Sequence, residues 1–411
     1  MDYINRAAEK LAKEAVETYK SILVTGARQT GKSTMLEELF PDRKVVTFDD
    51  QFAEDQAKNN PTEFIDLNPP PVTYDEVQYV PSLFRYIKIA CDASKDTGLF
   101  CLTGSQPFKL MKTASESLAG RVSIIELSTL SLREMQKTDF DQSFVPTMEY
   151  VKARQKSAKK PKNIWSIIHR GGYPALQNPK MNWERFFSDY IKTYLERDVR
   201  ALSAVQDLNT FRRFMIACAA RTGQMLNYSN IASEISKDAD TVKNWISILE
   251  ASGIIYILEP YCPSVLNRAI KTPKLYFRDT GLACYLTRWL TPETLANGAM
   301  AGEIFETYVI SEILKSYSNA GIDYHYCVSY YRGKDKKNSS ESEIDFLIEK
   351  DGLLYPVEIK KTSKPAADMT SAFTILDNIP EKKRGTGAVV CMCSAPGLLR
   401  ENILAIPVWY V

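Results

Sequence analysis

One octapeptide limits what this chain can fold into more than any other feature. Gly26-Ala27-Arg28-Gln29-Thr30-Gly31-Lys32-Ser33 fits the spacing G-x-x-x-x-G-K-[ST]. Glycines at that spacing let the backbone curl so that successive N–H groups point into one hollow and meet phosphate oxygens. Lys32 is expected to reach the β- and γ-phosphates and Ser33 to hold Mg²⁺. The following helix presents its positive end, with Thr34 in its first turn. Ser21-Ile22-Leu23-Val24-Thr25 reads as a short buried strand before the loop, and Lys32 to Phe40 as a helix after it.

The strands that follow build a sheet around this loop. Val45 to Phe48, Val72 to Tyr74 and Leu99 to Thr103 are apolar runs separated by helical segments. That alternation predicts a parallel sheet covered by helices. Residues 6–20 read as an amphipathic helix with Leu11, Ala15 and Tyr19 on one stripe. The third strand runs into Asp75-Glu76. Asp75 is placed to hold the metal through water and Glu76 to polarise the attacking water. The fourth ends in Thr103-Gly104-Ser105, and either hydroxyl suits a sensor of the γ-phosphate. Arg121 is the candidate cation for the γ-phosphate, supplied by a neighbouring subunit, or else a structural ion-pair partner.

Composition adds limits. The 411 residues carry 52 Lys+Arg against 50 Asp+Glu, so net charge does not point to nucleic acid. Hydrophobic residues at 45% and charged residues at 25% are ordinary for globular chains and exclude disorder over most of the length. The start of the sequence has no apolar signal core, and no run approaches a membrane span. The expected location is cytoplasmic, without membrane contact. We expect three domains: residues 1–150, 151–290 and 291–411. Residues 151–163 carry Lys152, Arg154, Lys156, Lys159, Lys160 and Lys162 without an acid and read as a solvated linker or hinge. Residues 228–258 read as helix, turn, helix and strand, a winged-helix-like unit. Its second helix has only Lys243 as a base, which favours a structural role over DNA binding.

A second constellation lies in the last third. Asp345 sits on a strand from Ile344 to Ile348. Glu358-Ile359-Lys360 ends the next strand, and the two are joined by an Asp351-Gly352 hairpin signal. Residues two apart in a strand share a face, so Glu358 and Lys360 project together, and pairing would bring Asp345 beside them. Glu306, on a helix that starts at Gly302, supplies a further acid. Asp345 and Glu358 suit a Mg²⁺ site, with Lys360 to orient water or stabilise a phosphorane-like transition state. The competing reading is a pair of strands with exposed charges. The apolar neighbours Phe346, Leu347, Val357 and Ile359 argue against it, because charge near a core is costly unless used or paired.

These motifs continue through Ser117-Leu118-Ala119-Gly120-Arg121, Gly171-Gly172-Tyr173-Pro174 and Tyr194-Leu195-Glu196-Arg197-Asp198-Val199. Pro273-Lys274-Leu275-Tyr276-Phe277 and Asp279-Thr280-Gly281-Leu282 follow. In this order they resemble a prokaryotic family of AAA-type P-loop ATPases with a C-terminal domain of uncharacterised function. The resemblance covers most of the chain. It implies an α/β fold: a P-loop parallel-sheet ATPase domain, a helical and winged-helix middle, and an α/β restriction-endonuclease-like C-terminal domain. It also implies ATP and Mg²⁺ as cofactors. Homo-oligomeric rings are usual among AAA-type relatives. One departure is the Pro-rich approach Asn68 to Pro71, which leaves few residues for the strand before Asp75.

The expected activity is Mg²⁺-dependent ATP hydrolysis coupled to movement of the C-terminal domain, with DNA as a candidate partner. One alternative is an ATP-gated nuclease using Glu306, Asp345, Glu358 and Lys360. The other is a switch that binds nucleotide without turnover and engages a protein partner.

Overall fold

The computed structural model describes residues 3–105, 117–195, 207–262, 272–334 and 341–411. Glu196, Arg197, Asp198 and Val199, named above, lie outside them.

Five strands form the first sheet: β1 (Ser21–Thr25), β2 (Lys44–Thr47), β3 (Val72–Asp75), β4 (Phe100–Gly104) and β5 (Val122–Glu126). The order is β2-β3-β4-β1-β5, and every neighbour is parallel. Strand β1 lies between β4 and β5 and is buried throughout, as its run of Ile22, Leu23 and Val24 demands. The edge strand β5 escaped the sequence reading because Val122-Ser123-Ile124-Ile125-Glu126 is half-exposed and mixes polar with apolar residues. The Pro-rich approach leaves β3 four residues, enough to carry Asp75 to the sheet edge.

Helix α1 (Glu9–Thr18) stands where a helix was expected, but its buried stripe differs. Ala8, Ala12 and Ala15 face the sheet, while Tyr19 is exposed. Small residues let the helix lie close against β1, and the larger Leu11 and Tyr19 fall to its sides. Helix α2 (Lys32–Leu39) follows the glycine loop and buries Met35 and Leu36.

The second part is mainly helical. Helices α3 (Tyr228–Ile235) and α4 (Ala239–Ala251) are joined by a tight turn with Ser236 at φ 56°. Three antiparallel strands flank these helices in the chain and pair in the order β6 (Gln224–Met225), β8 (Lys274–Phe277), β7 (Ile255–Leu258). In the last part α5 (Ala301–Ser318) packs on a mixed sheet. The main path of that sheet runs β14 (Gly397–Arg400), β15 (Ile403–Pro407), β13 (Gly387–Cys391), β11 (Leu353–Lys360), β10 (Glu341–Lys350), β9 (Val328–Lys334), and β12 (Lys383–Arg384) pairs with β11 off that path. The β10–β11 hairpin turns at Asp351 (φ 51°) and Gly352 (φ 77°), the left-handed pair that a two-residue hairpin needs.

One apolar core runs from Leu132 to Val411 and so joins the second and third parts. It also corrects the start of the solvated linker expected at 151–163, while residues 156–163 are irregular and carry exposed lysines as expected. Residues Met148–Gln155 form a helix that buries Tyr150, Val151 and Arg154. The Arg154 guanidinium donates to Trp409 O at 3.2 Å and to Ser157 Oγ at 2.9 Å, and lies 5.3 Å from the Phe140 ring centre. A run of bases thus hides one fully buried arginine that bonds the chain end. No described helix is long and apolar enough to cross a membrane.

Candidate nucleotide site

The glycine loop crosses the carboxyl end of β1. Gly26 has φ 142°, and a Cβ there would lie 2.2 Å from Leu127 O, so no larger residue fits. Gly31 takes φ 90° as it opens α2. Lys32 is buried and donates from Nζ to Gly26 O at 3.2 Å and Ala27 O at 3.0 Å. Thr30 Oγ1 closes the loop onto Ala27 O at 2.9 Å. Gln29 and Thr34 are exposed on the rim.

Asp75 is the centre of a ring of hydroxyls. Ser33 Oγ donates to Asp75 Oδ1 at 2.5 Å, Thr103 Oγ1 bonds the same oxygen, and Thr47 Oγ1 donates to Oδ2 at 3.1 Å. This all-oxygen donor set fits a hard cation such as Mg²⁺. Glu76 stands beside it with φ 56°. Its amide donates to Thr103 Oγ1 at 3.2 Å. Its carboxylate accepts from Ser105 Oγ at 3.0 Å and from Gln78 Nε2, with Arg28 Nη1 at 3.9 Å. The two hydroxyls that the sequence left equivalent therefore contact different acids. Thr103 touches Asp75 and Ser105 touches Glu76. Thr47 and Gln78 were missed, since a Thr at a strand end and a Gln two residues past an acid carry no motif.

Arg121 lies elsewhere. It precedes β5, whose Val122 pairs with Ser21 at the start of β1, so the length of a five-residue strand, roughly 16 Å, separates it from the loop. Its Nε pairs with Asp92 Oδ1 at 2.5 Å.

The second part of the chain closes on the loop. A Cβ on Gly253 (φ 69°) would lie 3.3 Å from Ala27 N. Gly253, Ile254, Arg278 and Asp279 line a cleft with Gly26 and Ala27.

The second constellation is also assembled. Lys360 Nζ lies 2.5 Å from Glu358 Oε1 and 3.2 Å from Asp345 Oδ2, and Ile359 N donates to Asp345 Oδ2 at 2.9 Å. Glu306 accepts from Tyr276 Oη at 2.6 Å, with Lys274 Nζ at 3.5 Å. Lys274 also pairs with Glu343 at 2.5 Å. Lys274 and Tyr276 come from β8 and were not expected here. Burial, reinforced by the Asp345 charge, pushes Glu306 up to about 7 and Glu358 up to about 8. Glu358 Oε2 is buried without a hydrogen-bond partner. An orphaned carboxylate oxygen next to further acids fits a cation. Among the described residues, however, no three acids, histidines or cysteines converge as a ligand set, and the Lys360 ammonium stands between Asp345 and Glu358.

Three family models match successive stretches of the chain. Residues 18–136 match the AAA domain family, 161–293 a domain of unknown function (DUF8612), and 301–411 a domain of unknown function (DUF4143). Uncharacterized proteins of Mycobacterium bovis and Mycobacterium tuberculosis are each 25% identical over 375 residues, 90% of this chain and 77% of theirs. Among solved structures, a Walker-type ATPase of Pyrococcus abyssi is similar at TM-score 0.40 and 15% identity, covering 69% of this chain and 96% of that one. AMPPCP-bound DnaA from Aquifex aeolicus follows at TM-score 0.31 and 18% identity, covering 61% and 89%. These two likenesses are too loose to bear on function. The family match and the parallel sheet with its glycine loop agree: the chain carries an AAA-type P-loop ATPase domain.

Proposed function

We propose that this protein binds ATP with Mg²⁺ and hydrolyses it, and that the nucleotide state moves the C-terminal domain. The observation that carries the reading is the convergence of Ser33, Thr47 and Thr103 on Asp75, with Glu76 held alongside and Lys32 folded over the loop. The loop amides of residues 26–33 bind the phosphates, and Lys32 leaves its carbonyls for the β- and γ-oxygens. Ser33 and Asp75 hold Mg²⁺, which when bound neutralises charge developing between the β- and γ-phosphates. Glu76 orients and polarises water, while Ser105 and Gln78 fix its carboxylate. Arg121 faces away from its own loop, which suits a cation lent to a neighbouring copy in a homo-oligomer once it leaves Asp92. The working division is residues 1–150, 151–290 and 291–411. The middle serves as a winged-helix-like spacer whose Gly253 turn rests on the loop.

Phosphate release from ATP by wild type, Lys32→Ala and Glu76→Gln, each with and without DNA, tests this. Turnover that needs both residues supports it, and a rise with DNA makes DNA the partner. ATP binding without phosphate release in any condition sinks hydrolysis and leaves a nucleotide-dependent switch for a protein partner.

A second reading has its own observation. Asp345 and Glu358 share Lys360, and Glu306 feels the charge of Asp345, two of the acids with raised pKa; we read this as a restriction-endonuclease-like arrangement suited to Mg²⁺-dependent DNA cleavage. Divalent-dependent cleavage that vanishes in Asp345→Ala supports it, and cleavage retained in that variant rejects it.

A further inference from the structure

We propose that Arg6, which lies outside the glycine loop and ahead of the AAA match, is a positioning residue for phosphate binding. The proposal rests on the nucleotide-binding reading above. Arg6 is 5% exposed and holds three groups at once. Nη1 donates to Thr30 O at 2.7 Å, Nη2 to Ser128 O at 2.7 Å, and Nε to Glu134 Oε1 at 3.0 Å. Glu134 is itself fixed, accepting from Ala7 N at 2.8 Å, Ser131 N at 2.6 Å and Ser131 Oγ at 2.9 Å. A planar guanidinium with its fork held at every arm has one orientation.

That orientation acts on the loop through peptide geometry. In a trans peptide the C=O and N–H point in opposite directions. Arg6 draws the Thr30 carbonyl to the outer side of the loop, so the N–H of the same peptide, that of Gly31, is turned to the inner side. There it lies at the mouth of α2, where a phosphate is bound. Gly31 at φ 90° has its own carbonyl held by Met35 N at 2.9 Å but no side chain to fix the peptide before it, and Arg6 holds that peptide's carbonyl. The bond to Ser128 O, just past β5, ties the clamp to the sheet. Because Glu134 balances the charge of Arg6, the contribution is geometric: the loop is held in its binding form before nucleotide arrives.

The test is titration of wild type, Arg6→Lys and Lys32→Ala with fluorescent ATP and Mg²⁺, together with hydrogen exchange of the nucleotide-free proteins. Lysine keeps the charge but cannot hold three groups in one plane. Arg6→Lys is expected to weaken binding about tenfold. Residues 26–33 should exchange faster while β4 stays protected. Binding within about twofold of wild type overturns the proposal. So does loss of protection in the loop and β4 together, which marks a general staple. Where Arg6→Lys does not fold, Glu134→Gln carries the same test, since it frees the orientation of Arg6. Wild type that binds no ATP in a Lys32-dependent way overturns both this proposal and the reading beneath it. Wild-type binding unaffected by Arg6→Lys overturns the Arg6 role alone.

Discussion

Arg278 forms an ion pair with Glu126 that joins the strand β8 region to the end of β5. Tyr324 closes the triangle: it accepts from Arg278 Nη2 at 2.7 Å and donates to Glu126 Oε2 at 2.9 Å. The three residues come from the ATPase sheet, the middle of the chain and the C-terminal part. Lys274, Tyr276 and Arg278 alternate along and just past β8, so they share a side. Lys274 and Tyr276 meet Glu306, and Arg278 meets Glu126. β8 therefore touches the C-terminal acids, and Arg278 just past it lines the cleft with Gly26 and Ala27.

Arg278→Gln is expected to destabilise the protein by about 2 kcal/mol, because Glu126 and Tyr324 lose a charged partner. Urea unfolding measures this. In the same variant, hydrogen exchange in β10 and β11 should stop responding to ATP if β8 carries the coupling.

Lys32→Ala should abolish measurable ATP binding. Glu76→Gln should keep binding and lower the rate of phosphate release about a hundredfold or more, the usual size of a lost proton-transfer group. Calorimetry and single-turnover phosphate release separate the two.

Gly26→Ala should disrupt the loop. Its Cβ would meet Leu127 O at 2.2 Å, and backbone on both sides leaves nothing flexible to yield. We expect a loss of about 2 kcal/mol or more. A thermal midpoint unchanged from wild type would contradict the contact.

The raised acids give stability a pH dependence of defined sign. Glu306 and Glu358 hold protons in the folded chain up to about 7 and about 8, while unfolded glutamates have lost theirs near 4.3. Between these limits the native state binds more protons, so stability falls as pH rises and levels off above about 8. Urea midpoints from pH 5 to 9 should show this slope. Glu358→Gln should reduce it, and Mg²⁺ bound at the acids should offset it at the alkaline end.

The sequence alone was enough for several features of local chain chemistry, though not for β5 or the buried stripe of α1. The glycine loop, its flanking strand and helix, Asp75-Glu76, and the Asp351-Gly352 hairpin all follow from residue type and spacing within a short stretch. What it left open depends on residues distant in the chain. Thr103 and Ser105 read alike until β3 and β4 pair and set one against Asp75 and the other against Glu76. The lysines of 151–163 face solvent as read, but Arg154 among them is covered by the end of the fold, where it bonds Trp409 O. Arg6, Lys274 and Tyr276 sit in no chemical motif. Their partners lie 24 residues or more away, and only packing brings a guanidinium to a loop carbonyl or a lysine to a buried acid. A buried charge is tolerable only where tertiary structure supplies its partner, so which charges are buried is decided there and not along the chain.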